Sequence, residues 1–215
     1  MMLTTILVLL ALGGVTAKCL YTPDANGHAV VPDGVTSIGE QAFYKCVSLI
    51  SIALPEGLTS IGRSAFQGAT SLASVSFPEG LTSIGPSAFE DATSLASVSF
   101  PESLTSINEA AFRSATSLAS VSFPKSLTSI GNSAFLDATS LVSLSFPKGL
   151  TSIGDYAFGT SGAKSSLVSV ALPDSLASIG DYAFNGHASL SKVYVPVGCS
   201  VGEMAFSFGW DDNLN

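Results

Sequence analysis

The stretch from Phe77 to Ser99 reads FPEGLTSIGPSAFEDATSLASVS, and close copies of it fill most of the chain. Each copy carries one proline at the same place, and these prolines are Pro32, Pro55, Pro78, Pro101, Pro124, Pro147, Pro173 and Pro196. They are 23 residues apart, except for one step of 26 residues between Pro147 and Pro173. A constant period of this length is typical of a stacked solenoid, in which each repeat contacts only its neighbours. The sequence therefore predicts a repeat solenoid of about eight 23-residue repeats.

Within one repeat, the residue pattern predicts a strand, a corner, a short strand and a helical turn. Residues 72–77 alternate apolar and serine side chains, which is the period of a strand. Pro78 ends this strand, and Gly80 lets the chain turn a corner. Residues 81–84 form the second strand, and Gly85 begins a short helical turn that carries the next aromatic core residue.

The composition limits the classes of partner. The 215 residues are 47% hydrophobic and 11% charged, so the chain can bury a sizeable core while its polarity comes mainly from Ser and Thr. Eight Lys and Arg against sixteen Asp and Glu give a formal net charge of −8. A negative chain repels phosphate backbones, so no nucleic-acid partner is predicted.

The first residues do not belong to the repeat. The apolar run Leu3–Leu12 is followed by the small residues of Val15–Ala17, a pattern that predicts a secretory signal peptide at 1–17. The alternative is an uncleaved signal anchor, although an apolar run of about 15 residues is short of the roughly 20 that span a bilayer. After removal of the signal peptide no membrane span is predicted, and we expect a secreted or extracellular-surface location.

Three cysteines, Cys19, Cys46 and Cys199, remain after the signal peptide. In a parallel stack with about 4.8 Å between strands, Cys46 and Cys199 lie on the order of 30 Å apart and cannot pair. A disulfide between Cys19 and Cys46 is therefore one possibility. The other is that Cys46 only fills a small buried position, because alanine occupies the equivalent place in the next four repeats.

The ends of the chain differ from the middle. Residues 18–31 are predicted to form an N-terminal hairpin cap around the Asn26–Gly27 pair, which favours a tight turn. The leucine-rich solenoid is expected over 32–195, and a degenerate last repeat with a C-terminal cap over 196–215. Trp210 is expected to cover the last coil rather than to anchor a partner.

The string LTSIGxxAFxxATSLxSVSFP, seen from Leu81 to Pro101, closely resembles the BspA-like leucine-rich repeat family, and the resemblance extends over roughly 29–208. It implies a right-handed solenoid of leucine-rich-repeat type with a parallel sheet on one face. It also implies a secreted or surface protein that binds host or matrix proteins, and it brings no catalytic residues. The asparagine ladder of other leucine-rich repeats is absent from the corner, where this chain has Gly or Ser.

Two sets of residues are candidates for a binding surface. The residue after each repeat proline varies in charge, and these residues are Glu56, Glu79, Glu102, Lys125, Lys148 and Asp174. Lys192 and Tyr194 lie at the C-terminal end of the predicted sheet, whose other outward positions are mostly serine. Tyrosine is enriched at binding hot spots. The alternative interpretation of the charged residues is a solvated edge without a partner.

Nothing in the sequence predicts catalysis, a metal site or a cofactor. The two histidines, His28 and His187, belong to opposite ends of the solenoid. The acidic residues are scattered over turns instead of converging in a pair, as glycoside cleavage requires. The three-residue insertion within 159–166 is expected to be a tolerated loop whose only charged side chain is Lys164.

Two functions remain. The favoured one is a non-catalytic secreted or cell-surface leucine-rich repeat protein that acts as a scaffold for protein binding or adhesion. The alternative is a structural or surface-adsorbing protein whose Ser and Thr ladders contact glycan, a cell covering or ice. The partner is accordingly an extracellular protein or a glycan of unknown identity.

Overall fold

A computed structural model describes residues 19–162, 164–190 and 192–207, which form a solenoid of short parallel strands. The predicted signal peptide and Trp210 lie outside the described residues. Coils are numbered 1 to 8 after their prolines, from Pro32 to Pro196, and each coil begins at the strand before its proline.

Coils 1 to 7 each contribute two strands, one to each of two faces, and coil 8 contributes one strand to the second face. The first face contains β1 (His28–Val30), β3 (Ser51–Ala53), β5 (Ser74–Val75), β7 (Ser97–Ser99), β9 (Ser120–Ser122), β11 (Ser143–Ser145) and β13 (Ser169–Ala171). The second face contains β2 (Ser37–Ile38), β4 (Ser60–Ile61), β6 (Ser83–Ile84), β8 (Ser106–Ile107), β10 (Ser129–Ile130), β12 (Ser152–Ile153), β14 (Ser178–Ile179) and β15 (Ser200–Val201). Paired strands are parallel and shifted by one repeat, as in the Val98–Val121 and Ile130–Ile153 pairs. The predicted solenoid is thereby confirmed.

The number of complete coils is seven, and the eighth contributes only β15. The first strand of coil 8 was predicted around Lys192 and Tyr194, but residues 192–196 contain no strand. Val193 and Val195 nevertheless pack partly against the core, as their counterparts in the inner coils do.

The predicted helical turn is wrong, because the described residues contain no helix. Two residues before each core phenylalanine of the AF pairs, the backbone is left-handed, with φ between 50° and 56°. These residues are Gln41, Ser64, Ser87, Ala110, Ser133, Tyr156, Tyr182 and Met204. A left-handed residue interrupts a right-handed helix of L-residues. The freed amides bond to the next coil instead, as Phe89 N does to Ala111 O at 2.7 Å, and they form a third face of the coil.

Stacked rings fill the interior. One ladder joins the phenylalanines of the AF pairs from Phe43 to Phe206, with ring centroids 4.9–5.4 Å apart in successive coils. A second ladder, from Phe77 to Phe146, meets the first edge to face. Equivalent side chains therefore form continuous lines along the stack. A single coil could not bury these rings alone, so neighbouring coils are required for stability.

The ladders of both strand faces are interrupted between coils 3 and 4. On the first face, pairing stops at β5 and resumes at β7, and on the second face it stops at β6 and resumes at β8. The first face alone is interrupted again between β9 and β11. At the other coil junctions of the second face, a glycine amide donates to the isoleucine carbonyl of the preceding coil, as Gly131 N does to Ile107 O at 2.8 Å. At coil 4 the side chain of Asn108 takes this place, donating from Nδ2 to Ile84 O at 2.6 Å.

At the N-terminal end, the predicted turn is present but the predicted hairpin is not. Gly27 N donates to Asp24 O at 3.0 Å, which closes the turn around Asn26. Residues 20–22 form no strand, and β1 pairs in parallel with β3 instead. The segment before β1, residues 19–27, is called here the leader. It is attached to the first coil by Leu20 N, which donates to Ala42 O at 2.8 Å. Among the described residues, no helix has the length and apolar character needed to cross a membrane.

Candidate binding surface

The first face carries two rows of small hydroxyl side chains. In coils 3 to 6, Ser74, Ser97, Ser120 and Ser143 form one exposed row, and Ser76, Ser99, Ser122 and Ser145 form the other. The intervening residues, such as Val98, point into the core because side chains alternate along a strand. The centre of this face is therefore flat and polar, and it lacks the large side chains that act as binding anchors.

Beside the serines lies an apolar row that the sequence analysis missed. Its members immediately precede the strand serines and are all exposed: Ile50, Ala73, Ala96, Ala119, Val142 and Val168. The signal was available in the sequence, because the position is apolar in all six coils. The sequence analysis assigned no role to this position, and the structure exposes it to solvent. The larger members lie toward the two ends of the stack.

The six charged residues after the prolines form one exposed row at the corner between the first and second faces, called here the charged stripe. Each lies in a tight turn, such as the one closed by the hydrogen bond from Leu81 N to Pro78 O at 3.1 Å. Glu102 Oε2 accepts a hydrogen bond from Lys125 N at 2.9 Å. Within the described residues, the single salt bridge joins Arg113 to Glu90 and lies outside the stripe. The charges of the stripe are thus available to a partner.

Lys192 and Tyr194 occupy coil 8 in line with the two serine rows, and both are exposed. Tyr194 is 68% exposed, although an aromatic ring of this size is usually covered in a folded domain. The structure therefore places the two predicted residues together at the C-terminal end of the first face, next to the charged stripe.

Threonine hydroxyls on the second face are used within the protein. Thr59 Oγ1 donates to Thr36 O at 3.0 Å, and Thr82 Oγ1 donates to Thr59 O at 3.1 Å. The same bond recurs from Thr128 to Thr105 and from Thr151 to Thr128. Each hydroxyl proton is committed to a carbonyl of the preceding coil, so this row offers a partner fewer donors than its sequence suggests.

A shallow groove of about 430 Å³ runs along the second face from coil 4 to coil 7. One wall is the row of Ser106, Ser129, Ser152 and Ser178, and the other includes Glu109, Asn132 and Asp155. On this side Asp155 N donates to Asn132 Oδ1, and Asp181 N to Asp155 Oδ1, both at 2.9 Å. This ladder of amide and carboxylate side chains was not predicted, because the residue type changes from coil to coil.

Comparison with known proteins places this geometry in a family. A family model described as a BspA type leucine rich repeat region, with six copies, matches residues 18–141 and 128–210. The chain belongs to the BspA-type leucine-rich repeat family. The resemblance predicted from the repeat sequence is thus confirmed, and the protein is a repeat scaffold.

Two solved structures resemble this BspA-type chain. A leucine-rich repeat protein from Bacteroides ovatus is 30% identical over 81% of this chain, with a TM-score of 0.71. The T. pallidum leucine-rich repeat protein is 36% identical over 72% of this chain, with a TM-score of 0.65. The chain spans 45% of the length of the first protein and 72% of the second. No curated protein matches the chain.

His187 anchors the insertion of this BspA-type solenoid. Its ring is 3% exposed, and Nε2 lies 2.6 Å from Phe158 O. A carbonyl only accepts, so Nε2 carries the proton and Nδ1 accepts from Ser165 Oγ at 2.5 Å. Burial lowers the pKa of His187, opposed in part by the bond to Phe158. The ring contacts a backbone carbonyl where a Ser–His nucleophile would have a carboxylate, so this pair fixes the loop in place.

A disulfide joins the N-terminal segment to the first coil. Cys19 and Cys46 form a disulfide with a Cα–Cα distance of 5.3 Å, which ties the leader to the buried column below Phe43. Cys199 is a free, half-buried thiol whose pKa is raised by burial. Among the described residues, no three His, Cys, Asp or Glu side chains are grouped so as to hold a metal ion.

Proposed function

We propose that this BspA-type protein is a non-catalytic scaffold, secreted or held at a cell surface, that binds an extracellular protein. The charged stripe and the adjoining Lys192–Tyr194 end of the first face make the contact. The observation that carries the proposal is the row of exposed charges, of both signs, that has no ion pair among the described residues. Such a row selects a partner of complementary charge and steers its approach.

Extracellular location is supported by two independent features. The apolar run before Val15–Ala17 has the form of a secretory signal. The Cys19–Cys46 disulfide is stable in oxidising compartments and rare in the cytosol. The intact mass of the secreted chain, measured with and without reductant, tests both features. We expect cleavage after Ala17 and a gain of two hydrogens on reduction.

Partner binding is tested by immobilising the mature chain and capturing extracellular proteins. The variant Lys125→Glu/Lys148→Glu reverses the basic part of the stripe, and we expect it to lose the captured protein. The control Arg63→Glu/Lys164→Glu makes the same change in net charge at exposed residues outside the stripe and should retain it. Equal capture by both variants would contradict the proposal.

A second candidate function is adsorption to a regular polysaccharide. It is favoured by the groove of the second face, where serines recur once per coil along one wall. Co-sedimentation with insoluble polysaccharide tests it. Ser129→Leu/Ser152→Leu should abolish adsorption, whereas Ser120→Leu/Ser143→Leu on the first face should not. Loss of adsorption in the first-face variant alone would exclude the groove.

A further inference from the structure

We propose that the first face pairs with the first face of a second copy of this chain, with the order of the coils reversed. The inference rests on the proposed function and deepens it, because it names a partner for the charged stripe. Two copies bound in this way form an isologous contact, in which the same patch is used twice. In such a contact each row of side chains faces the same row of the second copy in the opposite coil order. The side chains that face each other must therefore be complementary in charge or in polarity.

The charged stripe meets this requirement over its central four coils. Its charges run negative from Glu56 to Glu102 and positive at Lys125 and Lys148. A two-fold axis between coils 4 and 5 places Glu102 opposite Lys125 of the second copy and Glu79 opposite Lys148. The axis generates each attraction twice. The like-charge pair of Glu56 with Asp174 is also generated twice and remains near the ends.

The apolar row is compatible with its own reverse about the same axis. Ile50 of coil 2 faces Val168 of coil 7, and these residues are 46% and 51% exposed. Ala73 faces Val142, and Ala96 faces Ala119 at the centre. Each large side chain of this row therefore faces an apolar side chain of the second copy. Pairing buries apolar surface that is exposed to water in a single copy, which favours association.

The row that contains Ser76, Ser99, Ser122 and Ser145 extends to Val30 at one end and Tyr194 at the other, is called here the outer row, and adds a further match. Val30 of coil 1 is 60% exposed and faces Tyr194 of coil 8, which is 68% exposed. Between them the row is small, with Ala53 opposite Ala171 and Ser99 opposite Ser122. A two-fold axis parallel to the strands keeps each row over itself while it reverses the coils. The apolar row, the outer row and the charged stripe thus agree on one axis.

The size of the face predicts a weak association. The rows occupy four successive positions of each coil, such as Ala73 to Ser76, which span about 13 Å, and eight coils span about 38 Å, so the rows contribute about 500 Å² per copy before the charged stripe is added. Stable complexes bury about 800 Å² per partner. We therefore expect a weak association that is populated only at high protein concentration, and several copies held on one surface would reinforce it.

Sedimentation of the full mature chain, at concentrations up to about 1 mM, tests the pairing. We expect the average mass to rise toward two copies. Glu79→Lys and Lys148→Glu should each lower the association constant about tenfold, since each replaces two attractions by repulsions. The double variant Glu79→Lys/Lys148→Glu recreates the pairs with exchanged signs and should restore association. Lys164→Glu, outside the face, serves as the control.

The outcomes separate this inference from the proposed function. A wild-type chain that stays monomeric at every concentration overturns the pairing, and so does a double variant that fails to recover. Capture of another protein that is lost in Lys125→Glu/Lys148→Glu would leave the proposed function standing in either case. Recovery in the double variant, with no other protein captured, supports the pairing and overturns binding to a different partner.

Discussion

The ring of Phe89 lies parallel to the ring of Phe112, with centroids 5.1 Å apart and planes inclined by 2°. Both rings are fully buried, and the relationship repeats from coil to coil. Removal of one ring leaves a cavity bordered by two others. Phe112→Ala should therefore lower the free energy of unfolding by about 3–5 kcal/mol, as measured by chemical denaturation. Ala119→Ser, on the exposed first face, should change it by less than about 0.5 kcal/mol.

The left-handed residues of the third face give the second prediction. Ser133 has φ of 54°, a conformation that glycine adopts without strain. Ser133→Gly should leave the stability unchanged or raise it by about 1 kcal/mol. Ser129→Gly, in the extended strand β10, should lower it by about 1 kcal/mol. Equal losses in a thermal or denaturant titration would contradict the role of the left-handed turn.

The third prediction concerns acid. The pKa of His187 lies below its ordinary value of 6.5 in the folded protein, so the unfolded chain binds the proton more readily. The contribution of neutral His187 to the free energy of unfolding is therefore fully present above about pH 6.5, and it is lost as the pH falls toward the pKa of the folded protein. Stability measured from pH 8 downward should show this loss. His187→Gln should remove it and His28→Ala should retain it.

The fourth prediction concerns the leader. The disulfide closes a separation of 27 residues, so its loss should cost about 3 kcal/mol through the larger entropy of the unfolded chain. Cys19→Ser should therefore lower the denaturation midpoint, and reductant should produce the same shift in the wild type. Cys199→Ser should lack this effect, since that thiol is free. A reductant effect that persisted in Cys19→Ser would point to another cause.

The sequence was sufficient for the elements that depend on period. The alternation before Pro78 gave the first strand, and the variable residue after each proline gave the charged stripe. The left-handed turn that replaces the expected helical turn could not be predicted, because Ser87, Ala110 and Tyr156 are not residue types that indicate a left-handed backbone. The ladder through Asn132 and Asp155 was missed because its bonds join residues whose distance is fixed only by stacking.

The disulfide is a second feature that the repeat pattern alone could not decide. The repeat left both a bridge and a simple buried thiol open at Cys46, and the alanines at the equivalent place in the next four repeats favoured the buried thiol. The choice depends on the path of the leader, which is fixed by Leu20 and its bond to Ala42. That contact belongs to the non-repeating end of the chain, where a period carries no information.

Asn108 has a mechanical consequence. Between coils 3 and 4 the ladders of both strand faces are interrupted, and one side-chain amide replaces the backbone bond found in the other coils. Among the described coils this is the one plane at which both faces are interrupted, and the third face still joins it through bonds such as Phe89 N to Ala111 O. If the rod were pulled from its two ends, this plane would therefore part before the others. The molecule would then extend in two steps, as a shorter N-terminal block and a longer C-terminal block separated before either unravelled.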